Sequence, residues 1–239
     1  MSTSSALIIV PMRGGSKRLP GKHLKPLAGK TLVQRTGDCI RRSTVQVPVL
    51  LSTDDEAIAE AGREEGWLTP FTRAADLSGD TATSVGVVLD AVDRYCAQGE
   101  PEPEIIILLQ ATSPFRPDEM LSLAIDTLAR SNALDAVVGV TLSPVPAGYH
   151  FVAEAVHGNL QTMIEGEAKD SAVYAPNGTL YAIRTDIFRR TRSFFPTRMG
   201  GLVVDRVGAL DIDDAGDWSV AEALAYQNAK GQLTGMVGC

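Results

Sequence analysis

Six cations crowd one short glycine-bearing stretch near the start of this chain. Arg13, Lys17, Arg18, Lys22, Lys25 and Lys30 surround Gly14, Gly15 and Gly21, directly after the apolar run ALIIV at residues 6–10. Glycines let a backbone turn with positive φ and bring its N–H groups close to an anion, while flexible cations neutralise the charge that arrives. A strand emptying into such a loop is a place to hold phosphates. The dinucleotide pattern G-x-G-x-x-G is not met at residues 13–18, and the P-loop pattern G-x-x-x-x-G-K-[ST] fails because Pro20 and then Gly21-Lys22-His23 follow Leu19. Near the other end, Asp211 and Asp213 stand two residues apart. In an extended segment both carboxylates project from one face and can share a hard cation such as Mg²⁺, the ion that triphosphate chemistry uses. The competing explanation is that they cap the helix that follows, a task for which Asp214 and Asp217 are better placed. A third cluster, Gln110, Thr112, Ser113 and Arg116, follows the apolar run EIIILL at residues 104–109. Its residue types fit either a ligand contact or a helix cap with a proline turn.

The elements that must carry these clusters alternate. Apolar, β-branched runs predict strands at residues 6–10, 47–52, 104–109, 135–142, 179–184 and 201–208, and 3.6-residue periodicity predicts helices at 31–42, 57–65, 84–98, 118–130, 185–190 and 218–228. Strands alternating with helices imply a three-layer α/β/α fold, with a mainly parallel, Rossmann-like sheet. In such a sheet ligands bind at the carboxyl ends of the strands, where the basic loop and the Gln110 cluster would lie. Residues 143–175 break the pattern: Pro144 and Pro146 precede alternating Phe151-Val152-Ala153, a turn at His157-Gly158-Asn159 and an apolar run from Leu160. This is expected to be a small hairpin excursion that serves as a dimer arm, inserted in a single domain spanning residues 1–239.

Composition removes several classes of function. A net charge of −7 with one basic loop, and no broad basic face, argues against nucleic acid as a partner. No apolar run approaches the roughly 18 to 20 residues that would span a bilayer. Cys39, Cys96 and Cys239 are far apart with no C-x-x-C spacing, so neither a disulfide framework nor a zinc site is expected, and the cytoplasm is the natural compartment. His150 and His157 fall in the excursion and are expected to be surface or interface residues; no covalent nucleophile with its base is visible.

The run PMRGGSKRLPGK at residues 11–22 resembles the first motif of the CMP-sialic acid synthetases, or acylneuraminate cytidylyltransferases, approximately P-x-R-G-G-S-K-R-x-P-x-K-N. Four further blocks follow in that family's order. LSTDD at 51–55 is similar to its V-S-T-D-D, Arg73 through Ser84 to R-x-x-x-L-x-x-D-x-x-x-S, LLQATSPFR at 108–116 to L-L-Q-P-T-S-P-L-R, and Pro176-Asn177-Gly178 with Tyr181 to P-N-G-x-x-Y. LDID at 210–213 is similar to the family's metal-binding end.

The resemblance implies transfer of CMP from CTP to the anomeric hydroxyl of a nonulosonic 2-keto sugar acid, with Mg²⁺ as cofactor, CTP and the sugar acid as partners, and a homodimer. Arg13 and Lys22 would hold the triphosphate with loop N–H groups from Gly14, Gly15, Ser16 and Lys17, and Arg73, Asp80 and Ser84 would line the nucleotide side. Gln110, Asn177, Gly178 and Tyr181 would orient the sugar, with Thr112 and Ser113 facing acceptor and α-phosphate, and Asp211 and Asp213 would carry the metal. Three departures stand out: His23 replaces the Asn that reads the cytosine edge, Ala111 replaces a proline, and Lys169 alone stands near the place of a basic stretch that holds the acceptor carboxylate. Neighbouring activities share these features: a cytidylyltransferase for an eight-carbon Kdo-type acid, a sugar-1-phosphate nucleotidyltransferase, and a non-catalytic nucleotide-binding protein.

Overall fold

The computed structural model describes residues 5–143, 151–153, 160–162 and 173–229. Strands β1 (Ala6–Pro11), β2 (Val49–Ser52), β3 (Ile105–Leu108), β4 (Ala136–Leu142), β7 (Tyr174–Arg184) and β8 (Met199–Val203) form one sheet in the order β2-β1-β3-β7-β4-β8. All pairs are parallel except those of β7, which runs antiparallel to both β3 and β4. Strands β5 (Phe151–Ala153) and β6 (Leu160–Thr162) pair antiparallel in a separate two-stranded sheet, as the alternation predicts. The turn expected between them, and Lys169, lie outside the described residues.

The central strands are apolar on both faces because helices cover both. Ile8, Val10, Ile105, Ile107 and Ala182 face α1 (Leu32–Arg42), α4 (Glu119–Arg130) and α6 (Ala215–Ala229), while Leu7, Ile9, Ile106, Leu108 and Ile183 face α3 (Ser84–Cys96) and α5 (Thr185–Thr191). Helix α2 (Glu56–Glu64) adds Ile58 to the first layer. Each of the first three helices begins on a side-chain cap that the sequence offers: Thr31 with Gln34 in a capping box, Asp55 on the Ile58 N–H, and Thr83 on the Gly86 N–H.

Three elements differ from the sequence expectation by three residues or more at one end. Strand β7 starts at Tyr174, so Pro176-Asn177-Gly178 lies within a strand and not before one. Strand β8 occupies Met199–Val203 in place of residues 201–208, because the Asp205 carboxylate accepts from the Val207 and Gly208 N–H groups and turns the chain there. Helix α6 begins at Ala215, three residues early, because Asp214 accepts from the Gly216 and Asp217 N–H groups while Asp217 accepts from those of Asp213 and Asp214. The reversal of β7 has a direct consequence for the site. Tyr181 pairs with Leu108, so the residues preceding Tyr181 extend past the carboxyl end of β3 and join the loops that follow β1, β2 and β3.

Candidate active site

A cavity of about 540 Å³ opens at that end of the sheet, lined by Arg13, Ser16, Lys17, Arg18, Lys22, His23, Arg73, Asp80, Ser84, Gln110, Thr112, Asp211 and Asp213. Pro11, Leu77, Ala82, Val87 and Ala111 supply its apolar surface. The basic loop is held from beneath. Arg73, buried with its Nε unpartnered, donates to the Met12 carbonyl at 2.6 Å and lies 3.6 Å from Asp54, which accepts from the Gly14 N–H at 3.0 Å. Thus the loops after β1 and β2 are tied together. A Cβ at Gly14 would come within 2.5 Å of the Asp55 carboxylate, so glycine is required there by the approach of the α2 N-terminus.

Two of the loop N–H groups expected to cradle phosphate are therefore already engaged, Gly14 by Asp54 and Ser16 by the Gly14 carbonyl. The cations of the loop divide into two sets. Arg13 and Lys17 share the Asp80 carboxylate at 2.9 and 2.6 Å, and Arg18 and Lys22 face Asp213 at 2.9 and 3.7 Å. Lys25 lies over the Trp218 ring and Lys30 pairs with Asp38, so these two leave the site. Arg18, which sequence reasoning did not single out, belongs to it.

Opposite the loop, Ile212 is buried and its N–H donates to the Thr112 carbonyl at 2.9 Å, which turns the flanking Asp211 and Asp213 to the cavity side. Lys22 Nζ donates to the Ile212 carbonyl at 2.8 Å, clasping the loop to this segment across 190 residues. Helix capping is done by Asp214 and Asp217, which removes the capping explanation for Asp211 and Asp213. Asp211 Oδ1 is buried without a partner. Burial raises the Asp211 pKa, with the neighbouring Asp213 adding to the rise and Thr112 and Lys22 opposing it. A hard divalent cation fits an oxygen donor left open in this way, since Mg²⁺ is commonly held by one or two carboxylates plus substrate phosphates.

Gly178 adopts φ +80°, and a Cβ there would collide with the Gln110 side-chain oxygen and lie 4.0 Å from Asp211 Oδ2. The Tyr181 phenol, whose pKa is raised by burial and by Asp211, is influenced in the opposite sense by the Gly178 backbone. Gln110, Gly178, Tyr181 and Asp211 thus converge. Asn177 is spent differently: its amide donates to Thr141 at 2.9 Å and its oxygen accepts from Thr179, which staples β7 to β4 at the bulge beside Gly139. Ser113 is a correction to the sequence expectation, being buried, unpartnered and absent from the cavity lining.

A family model described as cytidylyltransferase matches residues 7–199. The chain belongs to the cytidylyltransferase family. This cytidylyltransferase is 29% identical over 232 residues to a CMP-N,N'-diacetyllegionaminic acid synthase of Legionella pneumophila, covering 93% of this chain and 97% of that one. An N-acylneuraminate cytidylyltransferase of Streptococcus agalactiae is 28% identical over 219 residues, 89% of this chain and 51% of that one, so the chain spans about half of it. Among solved structures, a CMP:2-keto-3-deoxy-manno-octonic acid synthetase complexed with CTP superposes with a TM-score of 0.70 at 18% identity, over 94% of this chain and 100% of the other. That likeness establishes the fold. The family match ends before Asp211 and Asp213, which the geometry alone brings to the cytidylyltransferase cavity.

His23 is buried with its Nδ1 unpartnered, and its pKa is lowered to about 4 by burial and by Lys22, Arg73 and Arg13, against Asp55. The imidazole is neutral at pH 7 and offers one donor and one acceptor. In the unfolded chain it titrates near the ordinary 6.5, so the stability present above pH 6.5 is lost as pH falls to about 4, by roughly 3 kcal/mol. Urea unfolding of wild type and His23→Asn at pH 7.5 and 5.0 measures this, and the variant should lose distinctly less stability on acidification. Equal losses would show that His23 is not held neutral.

Proposed function

We infer that this cytidylyltransferase transfers CMP from CTP to the anomeric hydroxyl of a nonulosonic 2-keto sugar acid and releases pyrophosphate. The observation that carries this is one cavity in which five cations face the carboxylates of Asp80, Asp211 and Asp213, with Gln110, pressed against Gly178, on its wall and an apolar strip beside them. The relatives named as legionaminic acid and acylneuraminate enzymes point to the same acceptor class.

In the forward step the acceptor hydroxyl oxygen bonds to the α-phosphorus, the bond from that phosphorus to the bridging oxygen of the β-phosphate breaks, and the hydroxyl proton passes to water. Arg13, Lys17, Arg18 and Lys22 neutralise the triphosphate and the charge that grows on the departing pyrophosphate. Leu77 and Val87 offer the base an apolar wall, and His23 presents it a neutral polar edge. Gln110, with Tyr181 behind it, orients the acceptor. Asp211 and Asp213 would hold Mg²⁺, which when bound supplies Lewis-acid polarisation of phosphate oxygens.

Asp80 occupies the cations that a triphosphate needs. Asp80→Asn should therefore tighten CTP binding severalfold, most clearly at low salt, because the carboxylate no longer competes for Arg13 and Lys17. Weaker binding in a calorimetric titration would mean that Asp80 positions these cations and does not compete for them.

The reading extends to a cytoplasmic homodimer. Strands β4 and β7 run out together to the pair Leu142 and Tyr174, 49% and 47% exposed, which lead to the β5–β6 hairpin. Light scattering should give twice the chain mass. The reaction itself is tested by phosphorus NMR of the product: a sugar acid acceptor leaves one phosphorus in the nucleotide sugar, whereas a sugar phosphate acceptor would leave two.

A further inference from the structure

Arg116 is the largest fully buried side chain among the described residues and takes no part in lining the cavity. A guanidinium removed from water is costly unless its donors are satisfied and its charge faces an anion. Here Nε donates to the Thr179 carbonyl and a terminal nitrogen donates to the Gln110 carbonyl, and among the described residues no carboxylate hydrogen-bonds it. The carboxylate whose charge reaches it is that of Asp211. Both acceptors belong to the acceptor corner. Gln110 is part of it, and Thr179 follows Gly178, against which the Gln110 side-chain oxygen is pressed. The ladder between β3 and β7 ends at the pair Leu108 and Tyr181, and beyond that pair the fork of Arg116 joins the two segments in its place.

We propose that Arg116 is a positioning residue for the acceptor, acting through Gln110: its fork fixes the Gln110 main chain against that of Thr179, and so sets where the Gln110 side chain lies against Gly178, beside Asp211. This rests on the proposed reaction. Lysine at 116 would keep the charge but could not reproduce the fork, so Arg116→Lys separates geometry from charge. An ångström of misplacement in a positioned group costs on the order of a hundredfold in rate.

The test compares pyrophosphate release by wild type, Arg116→Lys, Gln110→Ala and the double variant, together with the CTP dissociation constant measured without acceptor. In Arg116→Lys, kcat/KM for the acceptor should fall on the order of a hundredfold while CTP affinity stays within about threefold. In the Gln110→Ala background the same substitution should cost less than about threefold, since coupled residues are non-additive. Full additivity, unchanged acceptor kinetics, or a parallel loss of CTP affinity would each overturn the proposal. Should Arg116→Lys not fold, Gly178→Ala displaces Gln110 with Arg116 intact and must reproduce the acceptor-specific loss; normal acceptor kinetics in that variant overturn the proposal equally. Wild-type silence with every acceptor would remove the reaction and this inference with it, whereas wild-type turnover with unaltered variants would remove the inference alone.

Discussion

Asp211→Ala should lower turnover by about a thousandfold or more while leaving the protein folded. The carboxylate projects into the cavity with Oδ1 buried and unpartnered, beside Thr112 and with its charge reaching Lys22 and Arg116. A buried charge without a full set of partners is a burden on stability, but its removal also takes an anion from the buried Arg116, so the two effects oppose and the thermal midpoint should move little. Catalysis should respond strongly, because a missing metal ligand removes several kcal/mol of charge stabilisation from the transition state. Asp211→Asn gives the isosteric check, and its turnover should fall by a similar factor. Circular dichroism and a thermal melt report the fold, and pyrophosphate release reports the chemistry. An active variant would remove the metal assignment.

Lys22→Met should reduce kcat/KM by about a hundred- to a thousandfold, the scale of losing one preorganised donor to a developing oxyanion. The methionine keeps the apolar stem and deletes the ammonium, which burial has already made a poorer cation than a surface lysine, against the pull of Asp213 and Asp211. Lys22 also donates to the Ile212 carbonyl, so the variant loosens the clasp between the basic loop and the carboxylate segment. Both kcat and CTP affinity should suffer. Lys25 provides the control: three residues along the same loop it lies over the Trp218 ring, so Lys25→Met should retain turnover to within about twofold. Equal losses in the two variants would show that only the summed charge of the loop matters.

The layers of this fold were legible because β1 and β3 are apolar on both faces and the intervening helices carry periodic stripes and their own caps at Thr31, Asp55 and Thr83. The reversal of β7 was not, since a short apolar run has the same composition in either direction; direction is set by its neighbours β3 and β4. At the site, glycine and lysine spacing located the loop, but spacing could not tell Lys22 from Lys25, which differ only in what they meet across the fold. Gly14 was legible as a glycine and misread as an anion contact, because the Asp55 side chain that requires it comes from a loop 41 residues away. Asn177 and Ser113 carry ligand-like chemistry, yet tertiary hydrogen bonds and burial take them up. Arg18 shows the converse, its place in the cavity being decided by Asp213, and Arg116 is buried with its guanidinium on the Gln110 and Thr179 carbonyls.

The central claim is tested most directly by pyrophosphate release from CTP and Mg²⁺ against N-acetylneuraminate, legionaminate, pseudaminate, the deaminated nine-carbon acid and Kdo. Release with a nine-carbon acid, at a rate well above the acceptor-free background, is the predicted result. Release with Kdo alone, or silence across the panel with CTP still bound, would contradict it.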